Sequence, residues 1–130
     1  MFKRVLALAS ISALLLTGCS SGSGSAVNLG AAEFQAKTQE SGVVVLDVRT
    51  RGEFNEGHIA NAINIDVEAG TFLNEISSLD KTKPYAVYCR SGRRSADAVN
   101  KMSKAGFTNL FNLNAGIIDW QSAGFPVVTQ

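Results

Sequence analysis

Excess charge of one sign is missing from this sequence: 12 Lys and Arg stand against 11 Asp and Glu, a formal net charge of +1. So balanced a chain has no global electrostatic footprint for nucleic acid or for steering to a membrane surface. Cysteine is nearly absent, with only Cys19 and Cys89. No internal repeat is visible, and nothing beyond one short Ser/Gly stretch is of low complexity. The main apolar run, Val5 to Leu16, is interrupted by Ser10 and Ser12 and is too short to span a bilayer comfortably. What is present is 130 residues, a length that suits one domain.

The first 18 residues do not read as part of that domain. Lys3 and Arg4 form a basic start, the apolar run follows, and Leu16 to Cys19 reads Leu-Thr-Gly-Cys. A charged start, an apolar stretch and then small residues make an export signal, with an N-terminal membrane anchor as the other reading. The Leu-Thr-Gly-Cys stretch resembles the lipobox of bacterial lipoproteins, which implies acylation of Cys19. Ser20 to Ser25 would then be a flexible tether, giving a signal over 1–18, a tether over 19–26 and a domain over 27–130. The expected location is the cell envelope, lipid-anchored on the periplasmic side. Ser20 resembles the sorting residue of outer-membrane lipoproteins in Gram-negative cells. A soluble periplasmic protein is the alternative.

Loss of the signal removes Lys3 and Arg4, so the basic count falls to 10 against 11 acids. Three of the six Arg residues nevertheless sit at 90, 93 and 94. With Cys19 acylated, Cys89 has no partner within the chain. An odd thiol in an oxidising compartment suggests a free reactive group, with an inert buried cysteine as the other reading, and it is the residues around Cys89 that decide between them.

From Ala26 onward, short β-branched runs alternate with helical spacing. Val27 to Leu29 predicts a strand and Ala31 to Gln39 a helix. Val43 to Val48 is a continuous apolar run broken only by Asp47, as in a strand buried on both faces. Ala62 to Ile65 predicts another strand, Thr71 to Leu79 a helix, and Tyr85 to Tyr88 a strand running into Cys89. Ser95 to Ala105 has one apolar helical face, with Gly106 as its stop. Leu110 to Leu113 and Gly116 to Ala123 complete the pattern as strand and helix. Such alternation predicts a single α/β domain with a largely parallel sheet of about five strands.

In open α/β sheets, ligands bind beyond the carboxyl ends of the strands. Cys89 stands at such an end, just before a helix for which Ser95 is the expected N-cap. The intervening Arg90, Ser91, Gly92, Arg93 and Arg94 combine a glycine and a small polar residue with three guanidinium groups. Inward-turned amides with a helix dipole behind them form an anion cradle that lowers a thiol pKa. The arginines suit oxyanions, unless they are simply a solvated loop surface. Loop length narrows the chemistry. Cys-based phosphatases place five residues between Cys and Arg, whereas Cys89 and Arg94 bracket four. That ring suits a terminal sulfur better than a phosphate, and Tyr88 stands where those phosphatases have His.

Cys89 to Ser95, Cys-Arg-Ser-Gly-Arg-Arg-Ser, resembles the active-site loop of single-domain rhodaneses. Leu46 to Phe54 and Gly57 to Ile65 resemble that family's two N-terminal signatures, and Asn114 to Trp120 its C-terminal one. Ala115 departs from the pattern, since a second Gly is more usual there. The resemblance spans nearly all of Val27 to Val128 and implies a rhodanese-like domain with helices on both faces of its sheet.

It also implies a sulfurtransferase. Cys89 would take sulfane sulfur from a small anionic donor such as thiosulfate, hold it as a persulfide, and pass it to cyanide or a thiol. Arg90 and Arg94 would bind the donor, Asp47, Arg49 and Ser95 would support the loop, and no metal or organic cofactor is implied. His58, the only histidine, and Trp120 are expected in the core. The chain is expected to act as a monomer, without nucleic acid, and to meet the membrane through the lipid on Cys19. Two alternatives stand: a non-catalytic binding or regulatory module of the same fold, and a phosphatase or arsenate reductase of related fold.

Overall fold

The structure, a computed structural model, describes residues 26–130. The expected signal, Cys19 and the tether up to residue 25 lie outside the described residues. Ala26, assigned to the tether from sequence, packs partly buried against the core.

Strands and helices alternate along the chain: β1 (Val27–Leu29), α1 (Ala31–Thr38), β2 (Val44–Asp47), α2 (Arg51–Glu56), β3 (Ile63–Asn64), α3 (Phe72–Ile76), β4 (Tyr85–Tyr88), α4 (Arg93–Lys104), β5 (Leu110–Leu113) and α5 (Gly116–Ser122). The strands form one sheet in the order β1-β5-β4-β2-β3, and every pairing is parallel. The α/β class, the sheet of five strands and the helices on both faces are as the sequence predicts.

Period-two alternation along the central strands explains the two-sided core. On β4, Tyr85 and Val87 face one layer while Ala86 and Tyr88 face the other, and all four are buried. The first layer is closed by Phe72 and Ile76 of α3 and by Ala98, Val99 and Met102 of α4. The second is closed by Ala31 and Phe34 of α1 and by Ile117 and Trp120 of α5. Each large apolar side chain so buried contributes roughly 1.5–3 kcal/mol of transfer free energy.

Two features differ from expectation. The first is α2, which buries no residue and therefore carries no apolar period. Thr50 and Glu53 hold it instead, each side chain bonding the other's backbone N–H in a capping box. The second is the start of α4. Gly92 is the N-cap, at φ +107°, and Ser95 lies inside the first turn rather than ahead of it. Only a residue free of a Cβ suits that φ, and a Cβ on Gly92 would overlap the Asn114 carbonyl oxygen.

Because the sheet is parallel, the segments after β2, β4 and β5 all leave from its carboxyl edge. Arg49, the Cys89 loop and the Asn114–Gly116 turn therefore gather at one end.

Candidate active site

Cys89 follows directly on the buried end of β4 and is itself 1% exposed. Its Sγ accepts the Gly92 N–H at 3.1 Å and lies 3.4 Å from Ser95 Oγ. Ser95 in turn donates its hydroxyl to the Gly92 carbonyl at 3.1 Å. As a thiol, Cys89 donates to Ser95; as a thiolate, it accepts from the rotated hydroxyl. Burial pushes the thiol pKa up. The Ser95 hydroxyl and the amides of Ser95, Gly92 and Ser91 outweigh it, so the net shift is downward.

The amides face the sulfur because the carbonyls are occupied behind the loop. Ile117 N–H donates to the Cys89 carbonyl at 2.9 Å, and Ile118 N–H to the Arg90 carbonyl at 3.2 Å. Between them, Gly116 at φ +71° lets α5 press directly on the loop, since a Cβ there would overlap Arg90. The sequence marks Gly116 as part of a motif without disclosing this buttress. Ala115, the unusual residue of that motif, has φ −103°, which alanine adopts freely.

The arginines divide. Arg90 and Arg93 are exposed and have no ion-pair partner among the described residues. Arg94 spends both terminal nitrogens on the Glu53 carboxylate, at 2.6 and 2.8 Å, with Glu68 3.7 Å from its Nε. That bond holds the Glu53 carboxyl down at about 2 and raises the Arg94 guanidinium.

Asp47 and Arg49 are fully built into the structure below the loop. Arg49 bonds Asp47 through Nη2 at 2.7 Å and its Nε at 3.1 Å, and donates to the Gly57 carbonyl at 2.7 Å. Tyr88 donates its hydroxyl to Asp47 at 2.6 Å and accepts the Ile59 N–H at 3.0 Å. Tyr88 precedes Cys89, so this buried cluster fixes the strand end from which the loop springs. Burial lowers the Arg49 pKa, but Asp47 more than offsets it. Burial, with Asp47 adding to it, raises the Tyr88 phenol and keeps it protonated.

Beside the loop lies a groove of about 570 Å³ lined by Arg90, Glu53, Glu56, Gln121 and the apolar Ile117, Ile118 and Val127, with Arg49 and Gly57 behind. No group of three or more His, Cys, Asp or Glu side chains among the described residues is arranged to hold a metal.

Residues 30–123 match the family profile described as Rhodanese-like domain. The chain belongs to the rhodanese-like family. Thiosulfate sulfurtransferase 18 of Arabidopsis thaliana is 36% identical over 109 residues, 74% of this chain and 80% of that protein. A protein named sulfurtransferase from Allochromatium vinosum is 33% identical over 86 residues, 66% of this chain and 78% of its own. An uncharacterized Escherichia coli protein, YibN, is 36% identical over 87 residues, and the match spans 60% of its length. Among solved structures, a rhodanese-related protein from Thermoplasma volcanium superposes with a TM-score of 0.71 at 35% identity, over 80% of this chain and 99% of that one.

Within this rhodanese-like domain, the other singled-out residues are scaffold. His58 is 1% exposed and stacked on Phe54 at 3.7 Å, and its ring nitrogens sit 2.8 and 2.6 Å from the Phe54 and Gln130 carbonyls. Trp120 packs against Phe34 and Phe125 and donates to the Pro126 carbonyl.

Proposed function

We propose that this protein is a sulfurtransferase that moves sulfane sulfur through a persulfide on Cys89. The observation that carries the reading is the Cys89 sulfur beneath the Ser91, Gly92 and Ser95 amides, in a ring only four residues wide. With thiosulfate as donor, a Cys89 thiolate lone pair attacks the outer sulfur. The donor's S–S bond breaks and sulfite leaves with its electron pair. The outer sulfur stays as the terminal atom of Cys89–S–S⁻, whose charge falls where the loop amides point. A thiolate or cyanide then attacks that terminal sulfur, and the breaking S–S bond returns the thiolate to Cys89.

In this cycle Arg90 and Arg93 meet the incoming donor, Arg94 closes the ring, and Ser91, Gly92 and Ser95 hold the sulfur. Asp47 and Arg49 keep the strand end in place. The chemistry runs on the chain's own groups, and the chain works as a monomer. A lipid on Cys19 fixes it to the cell envelope on the periplasmic side.

Mass spectrometry of the thiosulfate-treated protein tests the cycle. A cyanide-labile gain of one sulfur on Cys89, lost in Cys89→Ser, is expected; no adduct, or undiminished turnover in Cys89→Ser, overturns the reading. The anchor has a separate test. Labelled fatty acid enters the wild type and not Cys19→Ala, and label retained in Cys19→Ala refutes it.

A further inference from the structure

Of the three arginines in the Cys89 loop, Arg94 is the one shielded from water. Its side chain is 15% exposed, whereas Arg90 and Arg93 are exposed and have no ion-pair partner among the described residues. Arg51, at the start of α2, is exposed as well and lies over the Phe54 ring at 5.3 Å. Solvent screens charges so placed, and it screens a part-buried guanidinium much less. Arg94 is also anchored beside the sulfur, because the next residue, Ser95, has its hydroxyl 3.4 Å from Sγ. Glu53 raises the Arg94 guanidinium against burial, and the Cys89 charge adds to that rise.

Yet this guanidinium does not serve the sulfur. Both of its terminal nitrogens go to the Glu53 carboxylate, at 2.6 and 2.8 Å, a fork-to-carboxylate match that fixes direction as well as charge. Glu53 is itself tied to α2, since its Oε1 accepts the Thr50 hydroxyl at 3.1 Å and its N–H donates to Thr50 Oγ1 at 3.3 Å. The other acids nearby are placed for other work. Asp47 is spent on Arg49 and on the protonated Tyr88 hydroxyl, and Asp119 of α5 takes the Ala31 N–H at 3.2 Å. Asp97 pairs with Lys101 along α4 at 3.0 Å. Glu68 is 59% exposed and reaches only Arg94 Nε, at 3.7 Å, while the exposed Glu56 makes no ion pair among the described residues.

Building on the sulfurtransferase reading, we propose that Glu53 is a positioning residue: it holds the Arg94 fork on α2, answers its charge, and so keeps the Cys89 thiolate reactive instead of locked in an ion pair. A thiolate paired with a guanidinium forms at lower pH but is a weaker nucleophile, because nucleophilicity falls with pKa at a Brønsted coefficient of about 0.4–0.5. The Ser95 hydroxyl and the loop amides already favour the anion. Once Cys89 is ionised, further stabilisation adds no thiolate and only slows its attack.

Alkylation by iodoacetamide, followed on the Cys89 peptide by mass spectrometry, reads both quantities in one pH–rate profile, and the reagent is neutral. Glu53→Gln keeps the capping box with Thr50 while removing the charge. Its midpoint should fall by about half a pH unit at low salt, and its plateau rate at alkaline pH should drop by about 1.5- to 2-fold. Added salt should narrow the midpoint difference. Glu53→Asp retains the charge and should stay near wild type in both readings. A midpoint in Glu53→Gln that stays or rises, or a plateau that does not slow, overturns the inference. So does Glu53→Asp behaving like Glu53→Gln, since the clasp would then act through geometry alone. None of these readings needs a sulfur donor, so they stand apart from the sulfurtransferase reading, which fails separately if thiosulfate leaves no cyanide-labile sulfur on Cys89.

Discussion

Ser95 and Cys89 share a hydrogen bond that reverses with the state of the sulfur: Ser95 Oγ lies 3.4 Å from Sγ and 3.1 Å from the Gly92 carbonyl it serves when Cys89 is protonated. Removing the hydroxyl takes away one stabiliser of the anion and leaves burial unopposed by it. Ser95→Ala should therefore move the midpoint of the alkylation rate of Cys89 to higher pH. Iodoacetamide kinetics across neutral and alkaline pH read this directly, and an unmoved midpoint would show that the amides alone hold the thiolate.

Gly116 bears on the same thiolate from behind. A methyl group there collides with Arg90 and imposes a residue with a side chain at φ +71°. Gly116→Ala should cost about 2–3 kcal/mol in unfolding free energy. It should also depress sulfur transfer beyond what instability explains, because the loop carbonyls lose their contacts with α5. Ala115→Gly, at an ordinary φ, should leave transfer nearly unchanged. Denaturant unfolding and single-turnover transfer on both variants check the contrast.

The Asp47–Arg49 pair is buried on both sides. Asp47→Asn removes the charge that Arg49 answers and should destabilise by about 3 kcal/mol. The double variant Asp47→Leu with Arg49→Met should recover part of that loss, since no charge is then stranded. A urea-unfolding cycle over wild type, Asp47→Leu, Arg49→Met and the double variant measures the coupling.

Acid should weaken the Glu53–Arg94 clasp in a defined direction. Glu53 is held from 4.5 down to about 2 in the folded protein, chiefly by its bond to Arg94. Its contribution is thus complete above its unfolded value and is lost as pH falls toward the folded one. Discounted for partial exposure, the gain over Glu53→Gln should be about 1 kcal/mol at neutral pH and should shrink below about pH 4.5. Urea midpoints of the two proteins, measured as pH is lowered, should converge.

The strands were legible because β-branched runs such as Val43 to Val48, punctuated by Gly42, have the length and composition of a buried strand. The reactive cysteine was legible from its neighbours. α2 was not, although Thr50 and Glu53 spell a capping box, because a helix without a buried face gives no apolar spacing to detect. The start of α4 was misplaced at Ser95 because a serine ahead of an apolar face looks like a cap, while Gly92 caps through backbone shape alone. Charge was the least legible property. Arg90, Arg93 and Arg94 are close enough in sequence to be seen together, but the Glu53 carboxylate that takes up Arg94 comes from a distant segment, and nothing in the sequence tells Arg94 from the two left unpaired among the described residues.

Parallel strands give the domain two unlike poles. Val27 pairs with Phe111, and Phe111 with Ala86, so the chain enters the sheet at the level of Ala86. Cys89 comes three residues later, just past the end of β4, roughly 10 Å toward the opposite pole at about 3.3 Å per residue. A leash attached ahead of Ala26 therefore pulls from the pole opposite the sulfur. Held by the proposed lipid, the domain would turn its working end outward from the surface that anchors it, toward partners that arrive from solution.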